Sequence, residues 1–217
     1  RGGESGIAKV ELVYGEAFEK AKKAGRWSQD LVDAAMKAEF DMKAVRQKRP
    51  TVGVFAGPKP VEPAFERPPG PSGSYAICVT YRDGLKATAL KISGGSDRWN
   101  FACRLKGNPA PHATAFFNSP WGNRGLFKAL SHAIQHNFIA GEEPYPAERT
   151  LLTTGAVEAV MHSWEQKGKT IETPHLAIKY KSKEWSAFRE NGRTWSILTK
   201  DVPQPASFEP RSWDELK

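Results

Sequence analysis

The fold is decided by residues 75–92, which read YAICVTYRDGLKATALKI. Two strand-like runs, 75–81 and 85–92, flank the dipeptide Asp83-Gly84. Asp-Gly is a strong hairpin signal because both turn positions tolerate a positive φ angle. This segment therefore predicts two antiparallel strands joined by a tight turn.

Further strands are predicted on both sides of this hairpin. Residues 7–14, IAKVELVY, alternate in polarity around Val10 and Leu12, which is the period of a strand. Short apolar runs at 99–105 and 112–117 are bounded by turn residues and read in the same way. The close succession of the last four strands predicts an antiparallel meander with one packed face.

Apolar residues recur with helical spacing in four segments. These are residues 16–23, 29–44, 126–140 and 148–166. Gly25 and Gly141 end the first and third, and Ser28 is an N-cap candidate for the second. The predicted class is α+β, a mostly antiparallel open β-sheet with helices packed on one face.

Residues 50–73 are rich in proline, which lacks an amide donor and fixes its own φ angle. We expect a long excursion there rather than a regular element. The predicted organisation is one domain over residues 1–176 with this excursion inside it. An irregular basic extension follows over residues 177–217.

The formal net charge is +8, yet basic and acidic residues are interleaved along most of the chain. Nucleic acid is therefore not an expected partner, and an anionic substrate or an acidic protein surface fits the charge equally well. No apolar run approaches the roughly 18 residues that cross a bilayer, so no membrane contact is expected. The two cysteines, Cys78 and Cys103, form no metal or redox motif and predict reduced thiols in a cytoplasmic protein, with a disulfide between neighbouring strands as the alternative.

The glycines do not form a G-x-G-x-x-G turn after a predicted strand. That turn holds the pyrophosphate of a dinucleotide at a helix N-terminus. The sequence thus predicts no Rossmann nucleotide-binding domain in this chain and no cofactor bound by it.

Three stretches carry a resemblance to a known family. They are YRDGLKATAL (81–90), NFACRLKG (100–107) and GEEPYPAERTLLTTGAVEAVMHSWEQKGKTIETPHL (141–176). They resemble the C-terminal domain of the glucose–fructose oxidoreductase, inositol dehydrogenase and MocA family. The opening, residues 1–17, resembles the point where such proteins leave their nucleotide-binding half.

The resemblance implies the substrate-binding and oligomerisation half of an NAD(P)-dependent sugar or polyol oxidoreductase. NAD or NADP would be held by a separate nucleotide-binding domain of the full-length parent. The implied partners are a sugar or polyol, that missing domain, or further copies in a homo-oligomer. The family's Glu-Lys-Pro signature and its Asp/His-bearing helix have no counterpart here, so no catalytic residue is transferred. The alternative is a stand-alone, non-catalytic binding or assembly subunit.

Four residues around the helix at 126–140 are candidates for substrate binding. His132 and His136 stand four residues apart and share a helix face. Arg124 at the helix start could hold an anion, and Trp121 supplies an aromatic ring. The local motif has no acidic or cysteine residue to complete a ligand set, so no metal is expected. Two interpretations stay open, a sugar pocket and a partly solvated helix face.

Aromatic residues cluster beside the predicted sheet. They are Trp99, Trp121, Phe101, Phe116 and Phe117. Aromatic faces stack on sugar rings, and they also build sheet cores and subunit interfaces. The structural use is the more frequent one, so this cluster supports oligomerisation better than it supports catalysis.

Overall fold

The computed structural model describes residues 3–38, 70–93, 99–116 and 123–181 of the 217-residue chain. Its elements are β1 (Ile7–Tyr14), α1 (Glu16–Lys23), α2 (Gln29–Lys37), β2 (Tyr75–Tyr81), β3 (Lys86–Lys91), β4 (Asn100–Cys103), β5 (His112–Ala115), α3 (Asn123–Ala140), α4 (Ala147–Glu165) and β6 (Ile171–Glu172). A 3-10 turn, Pro174–Leu176, follows β6. None of the described helices is long and apolar enough to span a membrane.

The central sheet has four antiparallel strands in the order β3-β2-β1-β6. The β2–β3 hairpin predicted from the sequence is confirmed, with Gly84 at a φ of 86° in its turn. In that turn the Asp83 carboxylate accepts the Leu85 N–H at 3.1 Å. The neighbour of β2 on its other side is β1, which comes from more than sixty residues earlier in the chain.

Helices cover both faces of this sheet. Val10 of β1 is fully buried and packs against Leu152 of α4 and Leu176. Val13 points to the opposite face, where it packs with Phe18 of α1. The α+β class and the antiparallel sheet are confirmed. The helices were predicted on one face only, and they lie on two because β1 is apolar on both of its sides.

β4 and β5 form a separate two-stranded ribbon rather than extending the sheet. The predicted four-strand meander is therefore wrong. The ribbon instead packs on α2, where Ala115 is buried and Asn100 donates a side-chain hydrogen bond to the Ala35 carbonyl. β1 takes the place beside β2 because its longer apolar stretch buries more surface than the four-residue β4 could.

The chain divides into two compact units. The first contains both sheets, α1, α2 and α4, and the described part of the second is the stretch 123–135 of α3. In the first unit Ile178 and Tyr180 pack on the core, so that unit continues past Leu176. Residues 50–69 of the proline-rich segment and residues 182–217 lie outside the described residues. The predicted domain bounds at 176 and 177 stay a prediction.

Candidate functional site

The predicted substrate residues fall on or near α3. His132 and His136 both lie in this helix, half-buried, and each already takes part in an interaction. The division between the two units falls between Gln135 and His136. Arg124 lies in the first turn of α3, its side chain is outside the described part, and so is the whole of Trp121. These four residues stay a prediction.

In the described part of the chain, no metal centre lies near these residues. Within the described ranges no three His, Cys, Asp or Glu side chains gather in a way that could hold a metal ion. The cysteines Cys78 and Cys103 are both free thiols. Burial raises the pKa of the Cys78 thiol, which keeps it protonated and makes it a poor nucleophile.

The apolar side of α3 is exposed wherever its side chains are described. Exposed fractions reach 65% for Phe127, 82% for Phe138 and 86% for Ile139. Phe127 and Phe138 are three helical turns apart and share a face, which is typical of a packed face. Where such side chains form a contiguous patch, they are typical of a surface that binds another molecule.

A salt bridge lies on the α1 face of the sheet. Arg26 donates to both carboxylate oxygens of Glu11, at 2.7 Å to Oε1, and Thr170 Oγ1 donates to Oε2 at 2.9 Å. The hydrogen bonds from Arg26 lower the pKa of the Glu11 carboxyl, and the carboxylate in turn raises the pKa of Arg26. Both carboxylate oxygens are already engaged, so we interpret this group as a tie between β1, the end of α1 and the start of β6.

The clearest grouping of exposed aromatic side chains is on the β4–β5 ribbon. Trp99 directly precedes β4, Phe101 lies in that strand, and Phe116 directly follows β5. The Phe116 N–H donates to the Trp99 carbonyl at 2.7 Å, which places these two residues side by side. Their exposed fractions are 67%, 49% and 53%. One surface of the ribbon therefore carries three half-exposed rings, and we call these three residues the aromatic face.

The aromatic face exists because the ribbon is buried on its other side. In the register Asn100 pairs with Ala115, and both turn toward α2. Side chains alternate along a strand, so Trp99, Phe101 and Phe116 point away from α2. Neighbours along a strand on one face are about 7 Å apart, and residues directly opposite on paired strands are about 5 Å apart. A single six-membered ring can therefore lie across this group.

The loop between β4 and β5 is fastened to α2. Arg104 forms an ion pair with Asp30 and donates to the Pro109 carbonyl at 2.6 Å. Asn108 accepts the Ala110 N–H through its side-chain oxygen at 3.0 Å. These contacts hold the loop and so fix the ribbon that carries the aromatic face.

The comparisons with known proteins identify no relative. No protein-family model, no curated protein and no solved structure matches this chain. The family resemblance of the three sequence stretches is not tested by these comparisons and stays a prediction.

The aromatic residues of the ribbon are evident from the sequence, but the sequence does not show that three of them share one face. The signal was present in the alternation of Trp99 and Phe101 around Asn100. That alternation does not show the strand pairing that brings Phe116 beside Trp99. A meander would have placed these rings on a four-strand sheet, where one face is a core.

Proposed function

We propose that this chain is a binding domain that holds a sugar or polyol on the aromatic face of the β4–β5 ribbon. The observation that carries the proposal is the exposure of Trp99, Phe101 and Phe116 together on one side of a fixed ribbon. An aromatic ring has a negative face, which attracts the weakly positive C–H groups on the flat side of a sugar ring. The gain also includes the apolar area removed from water.

Polar groups beside the rings suit the hydroxyls of such a ligand. His112 and Thr114 belong to β5 and share the aromatic face by their alternation with Ala113 and Ala115. Both are exposed, and the His112 ring lies 3.4 Å from the side-chain nitrogen of Asn108. An imidazole and a hydroxyl can each donate to or accept from a sugar hydroxyl. Stacking would give affinity, and these groups would orient the ligand.

Following the family resemblance of the sequence, we further propose that this domain is the substrate-binding and oligomerisation half of an NAD(P)-dependent oxidoreductase. The turn from β1 into α1 does not suit the cofactor itself. The tight turn from β1 into α1 is a strand-to-helix turn, but the first turn of α1 carries Glu16 and Glu19. Two carboxylates at a helix N-terminus would repel a pyrophosphate. NAD or NADP would therefore be bound by another domain of the parent.

The second candidate is a stand-alone, non-catalytic binding or assembly subunit. It is favoured by the strongly exposed apolar residues at the end of α3, Phe138 and Ile139. Such side chains gain free energy when a partner covers them. The two candidates share the sugar-binding ribbon and differ in whether a nucleotide-binding domain completes the protein.

The test is a titration of the isotope-labelled chain with hexoses and cyclic polyols, followed by amide chemical shifts. We expect saturable shifts confined to residues 99–116 and weak, millimolar affinity. Phe101→Ala and Phe116→Ala should each weaken binding several-fold, since an aromatic contact is worth about 0.5–1.5 kcal/mol beyond its buried area. Phe138→Ala is the matched control, because it removes an exposed phenylalanine that is not on the ribbon.

Three further results decide between the interpretations. Absence of shifts at concentrations well above millimolar would refute sugar binding by the ribbon. Saturable shifts with a single-stranded oligonucleotide, weakened steeply by salt, would assign the aromatic face to nucleic-acid bases instead. Binding of NADH or NADPH by the chain alone would contradict the separation of the cofactor from this domain.

A further inference from the structure

Among the described strands, β3 forms one edge of the central sheet. The order β3-β2-β1-β6 places β3 at one edge and the two-residue β6 at the other. No strand in the described part of the chain pairs with the outer side of β3. An edge strand presents a row of N–H and C=O groups that can bind another strand.

The hydrogen bond at the β2–β3 turn determines which backbone groups of β3 point outward from the sheet. Tyr81 donates its N–H to the Leu85 carbonyl at 2.8 Å, so this pair is hydrogen-bonded. Hydrogen-bonded and non-hydrogen-bonded pairs alternate along an antiparallel ladder. The register with β2 has no shift, so the backbone groups of Lys86, Thr88 and Leu90 point outward from the sheet.

The usual devices that block an edge are weak in β3. Its sequence, KATALK, has no proline, and its pairing with β2 has no bulge. Lysines stand only at the two ends. Lys91 leans back toward the sheet, with its Nζ 5.5 Å from the centroid of the Tyr75 ring. The middle of the strand carries only Ala, Thr and Leu side chains.

We propose that β3 pairs antiparallel with β3 of a second copy of this chain, about a two-fold axis at Thr88. The proposal deepens the oligomerisation part of the proposed function, rests on that part alone, and does not need sugar binding. Three outward residues in each strand would exchange about six main-chain hydrogen bonds. The two four-stranded sheets would become one continuous sheet across the dimer.

In this register the side chains of β3 in one copy are compatible with those of β3 in the other copy. Thr88 lies opposite Thr88 of the partner subunit, and β-branched pairs of this kind stabilise antiparallel strands. Lys86 lies opposite Leu90 of the partner subunit, so no two lysines face each other. A two-fold axis two residues nearer the turn would set Lys86 opposite Lys86 of the partner subunit. The two positive charges would then repel each other. Centring on Thr88 also pairs residues 86–90, five of the six residues of the strand.

The test uses the full chain in analytical ultracentrifugation over a range of concentrations. We expect a reversible monomer–dimer equilibrium. Thr88→Pro removes an outward N–H that β2 does not use, and edge strands accept proline. It should raise the dimer dissociation constant about 10-fold or more, through the loss of one hydrogen bond per copy and the bent edge. Thr88→Val keeps the N–H and the branched side chain, so its dimer should persist.

Cross-linking tests the register independently of stability. In a chain with Cys78 and Cys103 replaced by alanine, Thr88→Cys should form a covalent dimer on mild oxidation. The two Cα atoms would be about 5.5 Å apart, within disulfide reach. Lys86→Cys is the control, because its symmetry mate would lie roughly 14 Å away along the strands. Covalent dimers from Lys86→Cys as readily as from Thr88→Cys would overturn the register.

A chain that stays monomeric at every concentration, or a dimer that Thr88→Pro leaves unchanged, would overturn the proposal. Circular dichroism of Thr88→Pro shows whether the fold is kept. The outcome is separable from that of the sugar titration. A Thr88-dependent dimer with no sugar binding would refute the ribbon proposal and keep this one. A sugar-binding monomer would do the reverse.

Discussion

The hydroxyl of Ser163 completes the hydrogen-bond ladder between β1 and the segment that leads into β6. That ladder pairs Val10 with Ile171, and the same register would set Leu12 opposite Lys169. No direct bond forms there. The Ser163 Oγ lies between them instead, accepting the Leu12 N–H at 2.9 Å and donating to the Lys169 carbonyl at 2.7 Å. Ser163 is fully buried, so water does not replace its hydroxyl.

Replacing Ser163 with alanine should therefore destabilise the fold. The buried Leu12 N–H would lose its partner at a cost of about 1–3 kcal/mol, and the partly exposed Lys169 carbonyl would add roughly 1 kcal/mol. Alanine returns about 0.5 kcal/mol through its better helix propensity. We expect a net loss of about 2–3 kcal/mol in the free energy of unfolding, measured by urea denaturation with linear extrapolation.

A matched control lies on the same helix. Thr153 is exposed, and its hydroxyl bonds only to backbone carbonyls of α4, at 3.0 Å to Arg149. Thr153→Ala should change stability by less than about 0.5 kcal/mol. Hydrogen exchange of the Leu12 amide should accelerate in Ser163→Ala and not in the control. A loss below about 0.5 kcal/mol in Ser163→Ala, or an unchanged Leu12 amide, would refute the bridging role.

Three more predictions, two of them with a matched control variant, test the packing and the electrostatics of the first unit by urea denaturation. Leu152→Ala should lower the free energy of unfolding by about 2–5 kcal/mol, because this side chain is 4% exposed. Leu151 is 59% exposed, so Leu151→Ala should lower it by less than about 0.5 kcal/mol. Equal losses would contradict the assigned face of α4. Gly6→Ala should lower the free energy of unfolding by at least about 2 kcal/mol more than Gly84→Ala. Both glycines have φ near +85°, but only at Gly6 would a Cβ meet a carbonyl oxygen, that of Leu176, at 2.5 Å. A similar loss for both variants would disprove the close approach. Glu11→Gln should lower stability at neutral pH by about 1 kcal/mol or less, since the arginine partner is partly exposed. The pKa of the Glu11 carboxyl is lowered in the folded chain, so its contribution is present above the ordinary glutamate pKa of about 4.3 and disappears as the pH falls below it; a difference that stays constant down to low pH would contradict this.

The sequence by itself determined the local elements. The strands predicted at residues 7–14 and 75–81 and the helix at 16–23 have the same bounds in the structure. Polarity of period two, helical spacing and the Asp-Gly turn are local signals, which depend on neighbours a few residues apart. The same is true of the fold class, because counting strands and helices needs no knowledge of how they pair.

The tertiary structure alone decided which elements meet. The placement of β1 between β2 and β6, the separation of the β4–β5 ribbon and the two-sided cover of the sheet could not be read from periodicity. For the candidate site, the sequence supplied the aromatic residues, and strand pairing put three of them on one face. The physical reason is the same in each case. Pairing between distant segments is set by the total apolar surface that the whole chain can bury, and a local pattern shows only that a segment has a face to bury.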